Sequence, residues 1–102
     1  MENRPVPGLG QIVHYRLSEL DAVVINDRRA RAELAALRPP HPVGPCGSPV
    51  AEGDLFPAVV VRSGPHPGAE INLQVVLDGT DQHWAQYVTE GTGPGTWAWP
   101  QS

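Results

Sequence analysis

The clearest pattern in the chain is the alternation of apolar and polar residues between positions 71 and 77. The apolar residues Ile71, Leu73, Val75 and Leu77 fall on one face, and the polar residues Asn72, Gln74 and Asp78 fall on the other. A period of two predicts a strand with one buried side and one side facing water. An apolar run at 55–62 precedes it across a loop rich in glycine and proline, so the two runs predict a hairpin.

Further elements are predicted on both sides of this hairpin. Runs rich in β-branched and aromatic residues predict strands at 9–15, 83–88 and 96–100. A helix is predicted after the first strand, because Ser18 is placed to cap its N-terminus and Glu19 and Asp21 suit the helix dipole. Two prolines after Arg38 end this helix. The apolar positions Leu20, Val23, Val24, Ala30, Leu34 and Leu37 follow approximate helical spacing. Asp27 and Arg31 interrupt this stripe, so only the first two or three turns are predicted to be buried.

Together these elements predict one domain over residues 1–102, mainly β or α+β. The expected architecture is a small antiparallel SH3-like barrel, partly open, of about five strands with one helix inserted after the first strand. A two-layer α+β sandwich, with the helix on an open sheet, is the alternative. Residues 1–8 are predicted to form a loose N-terminal arm, 39–52 a proline-rich surface loop, and 96–102 a C-terminal strand and arm.

Composition excludes some classes of function. The net charge of −4 argues against a general nucleic-acid binder, which needs an excess of positive charge to displace counterions. No apolar run has the length that a membrane-spanning helix needs, and the first residues lack the features of a secretory signal. We therefore expect a protein made in the cytoplasm that binds neither nucleic acid nor membrane.

The chain also lacks familiar catalytic and metal-binding spacings. Its four histidines form no His-Glu-x-x-His motif, and its single cysteine, Cys46, has no second thiol to pair with. Asp78 and Asp81 look like paired acids, but an aspartate in a turn is explained by bonds to its own backbone. We therefore predict no enzyme, no cofactor and no metal site.

The residues with most promise for binding are aromatic and positively charged. Tryptophan, tyrosine and arginine dominate the energetics of protein interfaces. The cluster of Arg28, Arg29 and Arg31 either forms a solvated helix face or contacts an acidic partner or a phosphate. Trp97 and Trp99, two positions apart, either close the core or anchor a partner, whereas Trp84 is predicted to be a core residue. The predicted partner-binding residues are Trp97, Trp99, Tyr87, Arg28, Arg29 and Arg31.

Several short motifs, taken in order, resemble a known group of proteins. They are residues 10–15 (GQIVHY), 17–22 (LSELDA), 25–26 (IN), 28–29 (RR), 53–54 (GD), 56–57 (FP), 72–75 (NLQV), 77–79 (LDG), 93–97 (GPGTW) and 99–100 (WP). In these the chain resembles small proteins encoded by phages and prophages of actinobacteria, of the Streptomyces and mycobacterial type. The resemblance covers nearly the whole chain outside the proline loop, and it brings no catalytic residues with it.

The resemblance implies one of two roles for a small acidic protein without catalytic motifs. The first is a structural part of the virion, a capsid decoration or head-associated protein whose partners are the major capsid protein or further copies of this chain. The second is an intracellular binding module that sequesters a nucleotide signal or inhibits a host protein. We expect the first role, with the protein made in the host cytoplasm and carried in the virion.

Overall fold

Five strands and one helix follow one another along the chain. In this computed structural model, which describes residues 6–36, 48–79 and 81–100, the predicted element order is confirmed. The elements are β1 (Ile12–Arg16), α1 (Glu19–Ala36), β2 (Leu55–Arg62), β3 (Ile71–Val76), β4 (Gln82–Glu90) and β5 (Thr96–Ala98).

The strands close into a barrel in the order β1-β2-β3-β4-β5, and β5 returns to pair with β1. All neighbouring pairs are antiparallel except β4 and β5, which run parallel. The predicted SH3-like barrel of five strands with one helix after the first strand is confirmed. Two details differ, since the barrel is closed and its strand pairing is mixed.

The junction after β1 shows how local sequence helps to close the barrel. Gly53, with a φ of 91°, adopts a backbone conformation that other residues rarely take. Its N–H donates to the carbonyl of Leu17 at 2.8 Å, and the Leu17 N–H donates to the carbonyl of Asp54 at 2.9 Å. These bonds extend the pairing of β1 with β2 beyond the last strand residue of β1.

The core lies inside the barrel and under the first half of α1. The predicted alternation is confirmed, because Ile71, Leu73 and Val75 of β3 and Leu77 just after it are all buried. Asn72 is also buried, although its position in the alternation predicted an exposed residue. Its burial is compensated, because Asn72 Oδ1 accepts the Tyr87 backbone N–H at 2.9 Å. The buried apolar residues are Val13, Tyr15, Leu17, Ala22, Ile25, Val50, Ala58, Val60, Ile71, Leu73, Val75, Leu77, Ala85, Val88 and Trp97.

The predicted inner face of α1 is wrong. The helix turns Ala22, Ile25 and Arg29 toward the barrel. Leu20, Val23 and Val24, in the turns predicted to be buried, face outward instead. Further along the stripe Ala30 and Leu34 are exposed too, and Leu37 lies outside the described residues. The reason is that polar bonds at the start and middle of the helix set its rotation, and apolar side chains then follow that rotation.

The predictions for the arms and the loop fall partly outside the described residues. Of the predicted N-terminal arm, residues 1–5 are not described, while Pro7 is buried and its carbonyl accepts the Ser63 hydroxyl at 2.8 Å. Of the proline-rich loop, only residues 48–52 are described, and Val50 is attached to the helix. Residues 101 and 102 at the C-terminus also lie outside the described part.

Candidate partner-binding surface

A network of hydrogen bonds joins the start of α1 to the barrel. Asp21 Oδ1 lies 2.8 Å from His83 Nε2 on β4, and Asp21 Oδ2 accepts the hydroxyl of Tyr15 on β1. Ser18 caps the helix as predicted, because its Oγ accepts the Asp21 N–H at 3.0 Å. Asp21 Oδ2 in turn accepts the Ser18 N–H at 2.9 Å, which makes the cap reciprocal. Three separate elements therefore meet at one carboxylate.

The ionisation of this network follows from its contacts. Burial pushes the pKa of Asp21 upward, but hydrogen bonds from His83, Tyr15 and Ser18 outweigh that effect and hold the pKa well below its usual range. Burial, together with the bond to the Asp21 carboxylate, raises the pKa of Tyr15 well above its usual range. Asp21 thus stays charged and Tyr15 stays protonated at neutral pH. All bonding groups here point inward at one another, so we interpret the network as an anchor for the helix.

This anchor predicts sensitivity to acid. A carboxyl group whose pKa is lowered by folding contributes its full stability above its unfolded pKa and loses it as the pH falls. We expect the melting temperature to fall on acidification below about pH 5, and Asp21→Asn to remove much of that dependence. Thermal unfolding measured at a series of pH values tests this. Asp27→Asn, on the exposed side of α1, is the control and should keep the wild-type slope; an unchanged slope in Asp21→Asn would contradict the prediction.

A second cluster of charges fixes the middle of α1. Arg29 is 4% exposed. Its Nε and Nη2 donate to the two carboxylate oxygens of Asp81, each at 3.0 Å, and Nη2 also donates to Asp78 Oδ1 at 3.1 Å. Arg29 Nη1 donates to the backbone carbonyl of Ser48. The Asp81 hydrogen bonds raise the pKa of Arg29, and the same bonds lower the pKa of Asp81. The two aspartates that looked like turn residues thus hold the helix in place.

A surface groove of about 270 Å³ lies on the outside of the barrel, next to the last residues of the chain that the structure describes. His14, Arg16, Leu55, Ala98 and Trp99 line it. The groove combines an aromatic ring with a permanent positive charge, and Arg16 Nη1 uses one donor on the Gly53 carbonyl at 3.0 Å. Such a combination suits a flat or anionic group.

The outer face of four strands carries a continuous row of side chains. Ile12 on β1 is opposite Val59 on β2, Val59 is opposite Gln74 on β3, and Gln74 is opposite Trp84 on β4. Trp84 is 54% exposed, and Ile12 is also exposed. Directly opposite side chains in a sheet lie close enough to touch. The row is apolar except for Gln74. Together with the exposed Val76 on β3 and Val61 on β2, it forms a largely apolar surface that we call the sheet face.

A bulge in β4 turns Tyr87 outward beside this face. Ile71 pairs with Val88 and Leu73 pairs with Ala85, so the register shifts by one residue at Tyr87. Tyr87 has a φ of 58° and is 66% exposed. A non-glycine residue in the left-handed region is uncommon, and β-bulges frequently redirect a side chain near a functional surface. The bulge therefore presents a large aromatic side chain to solvent.

The structure divides the predicted partner-binding residues. Arg29 and Trp97 are buried, Trp97 at only 2% exposure, so the interpretation of these two as exposed contacts is corrected. Arg29 is held by two aspartates, and Trp97 fills the barrel interior. Trp99 is half-buried and lines the groove, with its ring 5.4 Å from that of Trp97 at an interplanar angle of 86°. Tyr87 is exposed and stays a prediction.

Arg28 and Arg31, the two remaining members of the predicted set, lie apart from the sheet face. Both are exposed on α1, and each is paired: Arg28 with Asp81 at 3.4 Å, and Arg31 with Asp27 at 3.1 Å. Their role as partner-binding residues stays a prediction. Trp84, which was predicted to be a core residue, is instead the largest apolar side chain in the sheet face. Its neighbours His83 and Ala85 both point inward, and strict alternation then requires Trp84 to point outward.

The described part of the chain contains no cluster of three or more side chains suited to a metal ion. His83 contacts Asp21, His14 lines the groove and His66 is exposed, while His41 and Cys46 lie outside the described residues.

Among the described residues, no helix has the length and apolar character needed to cross a bilayer. Comparisons with models of protein families, with curated proteins and with solved structures give no match for this chain.

Proposed function

We propose that this protein is a non-catalytic component of a phage virion, a capsid decoration or head-associated protein that binds the capsid lattice. The observation that carries the proposal is the sheet face, the row of Ile12, Val59, Gln74 and Trp84 across four strands. A contiguous exposed apolar patch on a small protein marks a binding surface more often than a chance exposure. The motif resemblance to small phage proteins supplies the virion as the setting.

The chemistry of the described side chains supports binding over catalysis. His83 and Asp21 form the pair that most resembles an acid–base dyad, but both side chains are largely buried and their bonds are used to anchor α1. General acid–base catalysis needs a group that can reach a substrate proton. Trp84 and Tyr87, by contrast, are large, exposed and carried on one strand, and large aromatic residues are enriched among interface anchors.

Quantitative mass spectrometry of density-purified phage particles tests the proposed role. We expect the protein in many copies, in a fixed ratio to the major capsid protein. Trp84→Ala is expected to lower its copy number per particle at least tenfold without changing its melting temperature, because the side chain is already exposed. Leu9→Ala, which removes an even more exposed apolar side chain that is not part of the sheet face, should leave the copy number unchanged. Absence of the wild-type protein from particles would refute the virion role.

The groove favours a second candidate function. An intracellular module that sequesters a nucleotide signal needs a ring for stacking and a positive charge for phosphate, and Trp99 and Arg16 offer both. If the protein is absent from phage particles, titration calorimetry of the purified protein with a panel of nucleoside phosphates and cyclic nucleotides tests this role. Saturable binding that Trp99→Ala abolishes would support the module, and no binding across the panel would exclude it. Inhibition of a host protein, the other form of this role, has no specific feature of the groove in its favour.

A further inference from the structure

The outward face of α1 carries large apolar side chains that the barrel does not cover. Leu20 is 71% exposed and Leu34 is 66% exposed, and Val23 and Val24 between them are exposed as well. The opposite face of the same helix is buried through Ala22, Ile25 and Arg29. One apolar face of this helix packs on the core of the protein and a second faces solvent. A second apolar face of this kind is typical of a helix that packs against another helix.

The spacing of the outward face matches a helix–helix seam. Leu20, Val24, Asp27, Arg31 and Leu34 are separated by four, three, four and three residues. This 3.5-residue repeat keeps a line of side chains directed at a second helix. The two charged members stand together at the centre of the seam, where Arg31 Nε contacts Asp27 Oδ2 at 3.1 Å. Both side chains are largely exposed and therefore free to contact a partner as well.

The order of charges identifies the partner. If a second copy of α1 packs antiparallel, in the register that places Val24 against the partner's Leu34, then Asp27 faces the partner's Arg31. By symmetry, Arg31 faces the partner's Asp27, so each apolar contact and each ion pair occurs on both sides of the two-fold axis. Parallel packing in register would instead place Asp27 against Asp27 and Arg31 against Arg31. Over residues 24–34 the seam is therefore complementary to itself in the antiparallel direction and not in the parallel one. Leu20 falls opposite position 38 of the partner, outside the described residues.

We propose that two copies of this chain associate through an antiparallel pair of α1 helices along this seam. The inference is independent of the proposed virion role and of the sheet face, which lies on other elements. It also gives a partner to the last turns of the helix, where Arg31, Glu33, Leu34 and Ala35 are all exposed. Short helices in water depend on packing for most of their stability, so these turns gain from a second helix.

The dimer is expected to be weak and reversible, because a single short seam buries much less surface than a stable interface. Sedimentation equilibrium of the full chain over a range of concentrations tests it. We expect the average mass to rise from one chain toward two, with a dissociation constant on the order of 10–100 μM. Leu34→Glu should raise that constant at least tenfold. Leu9→Glu, an equally drastic change at an exposed leucine away from α1, should leave it unchanged.

Charge reversal tests the antiparallel register without disturbing the fold. Asp27→Arg and Arg31→Asp are each expected to abolish self-association, because each places like charges opposite one another. An equimolar mixture of the two variants should associate again, since arginines at both positions of one chain then face aspartates at both positions of the other. Circular dichroism of each variant confirms that the helix is retained.

Three results would overturn the proposal. The first is a wild-type chain that remains at the mass of one chain up to about 1 mM. The second is a Leu34→Glu variant that associates as tightly as the wild type, which would place the interface elsewhere. The third is a mixture of charge variants that stays monomeric, which would exclude the contact between Asp27 and the partner's Arg31.

Discussion

Replacing Trp97 with alanine is expected to lower the free energy of unfolding by about 3–5 kcal/mol, the usual cost of removing a buried large aromatic ring. Trp97 is 2% exposed, and its ring packs edge-to-face with that of Trp99. Its strand, β5, closes the barrel by pairing with both β1 and β4. The loss of this side chain therefore leaves a cavity at the point of closure. Urea denaturation followed by circular dichroism measures the change.

Two further variants separate the causes of this loss. Trp99→Ala removes a half-buried ring and should cost much less than Trp97→Ala, while it alters the groove that Trp99 lines. Trp97→Phe keeps most of the ring volume and removes an indole N–H that has no hydrogen-bond partner among the described residues. An unpaired buried donor is itself unfavourable, so Trp97→Phe should recover most of the stability. Equal losses for Trp97→Ala and Trp99→Ala would contradict the assignment of Trp97 to the core.

The strands were predictable because their signals are local. In β3, the alternation from Ile71 to Val75 reports directly which side is buried, and the structure confirms it for every apolar position. The bounds of β2 agree residue by residue with the apolar run at 55–62. Each of these signals depends only on neighbours in sequence, so a single chain contains all the information needed to recognise them.

Closure of the barrel and the rotation of the helix depend on contacts distant in sequence. His14 pairs with Ala98 and Tyr15 with Trp97, and nothing in either short segment indicates its partner. The helix was given the wrong inner face because apolar residues were assumed to be buried and arginine exposed. Arg29 reverses this rule, since two aspartates more than forty residues away compensate its charge. That compensation becomes visible only when the β3–β4 turn is placed against α1.

The candidate surface was missed for a different reason. Trp84 is predicted to lie in the core, but His83 and Ala85 on either side of it point inward, so Trp84 points outward. The sequence of β4 alone does not show this phase, because both alternating sets of positions mix polar and apolar residues. His83, Ala85 and Val88 are the buried positions of β4, with the bulge at Tyr87 accounting for the odd spacing. An aromatic residue in a small barrel is thus better assigned by strand phase than by size.

Replacing Arg29 with alanine is expected to cost about 3 kcal/mol, comparable with the loss for Trp97→Ala. Removing one partner of a buried ion pair leaves the other charge without compensation, at a typical cost of about 3–5 kcal/mol. The lower end of this range applies here because Asp78 is half exposed and water can hydrate it after Arg29 is removed. The cost remains large because Asp81 is largely buried. Arg29→Lys should recover only part of the loss, since an ammonium group cannot bind both oxygens of Asp81 in the same geometry. Urea denaturation of the variants measures these differences.

Arg28→Ala is the matched control, because it removes the adjacent arginine from the same helix. Arg28 reaches Asp81 only at 3.4 Å and from an exposed position, so its removal should cost less than about 1 kcal/mol. If Arg29→Ala proved no more costly than Arg28→Ala, the ion pairs would contribute little, and another contact would have to hold α1 against the barrel. The strongest remaining contact between the helix and the barrel is Asp21, whose carboxylate binds His83 on β4 at 2.8 Å and the Tyr15 hydroxyl on β1. Asp21→Ala would then become the more destabilising change, and the comparison of Arg29→Ala with Asp21→Ala decides which contact fixes the helix.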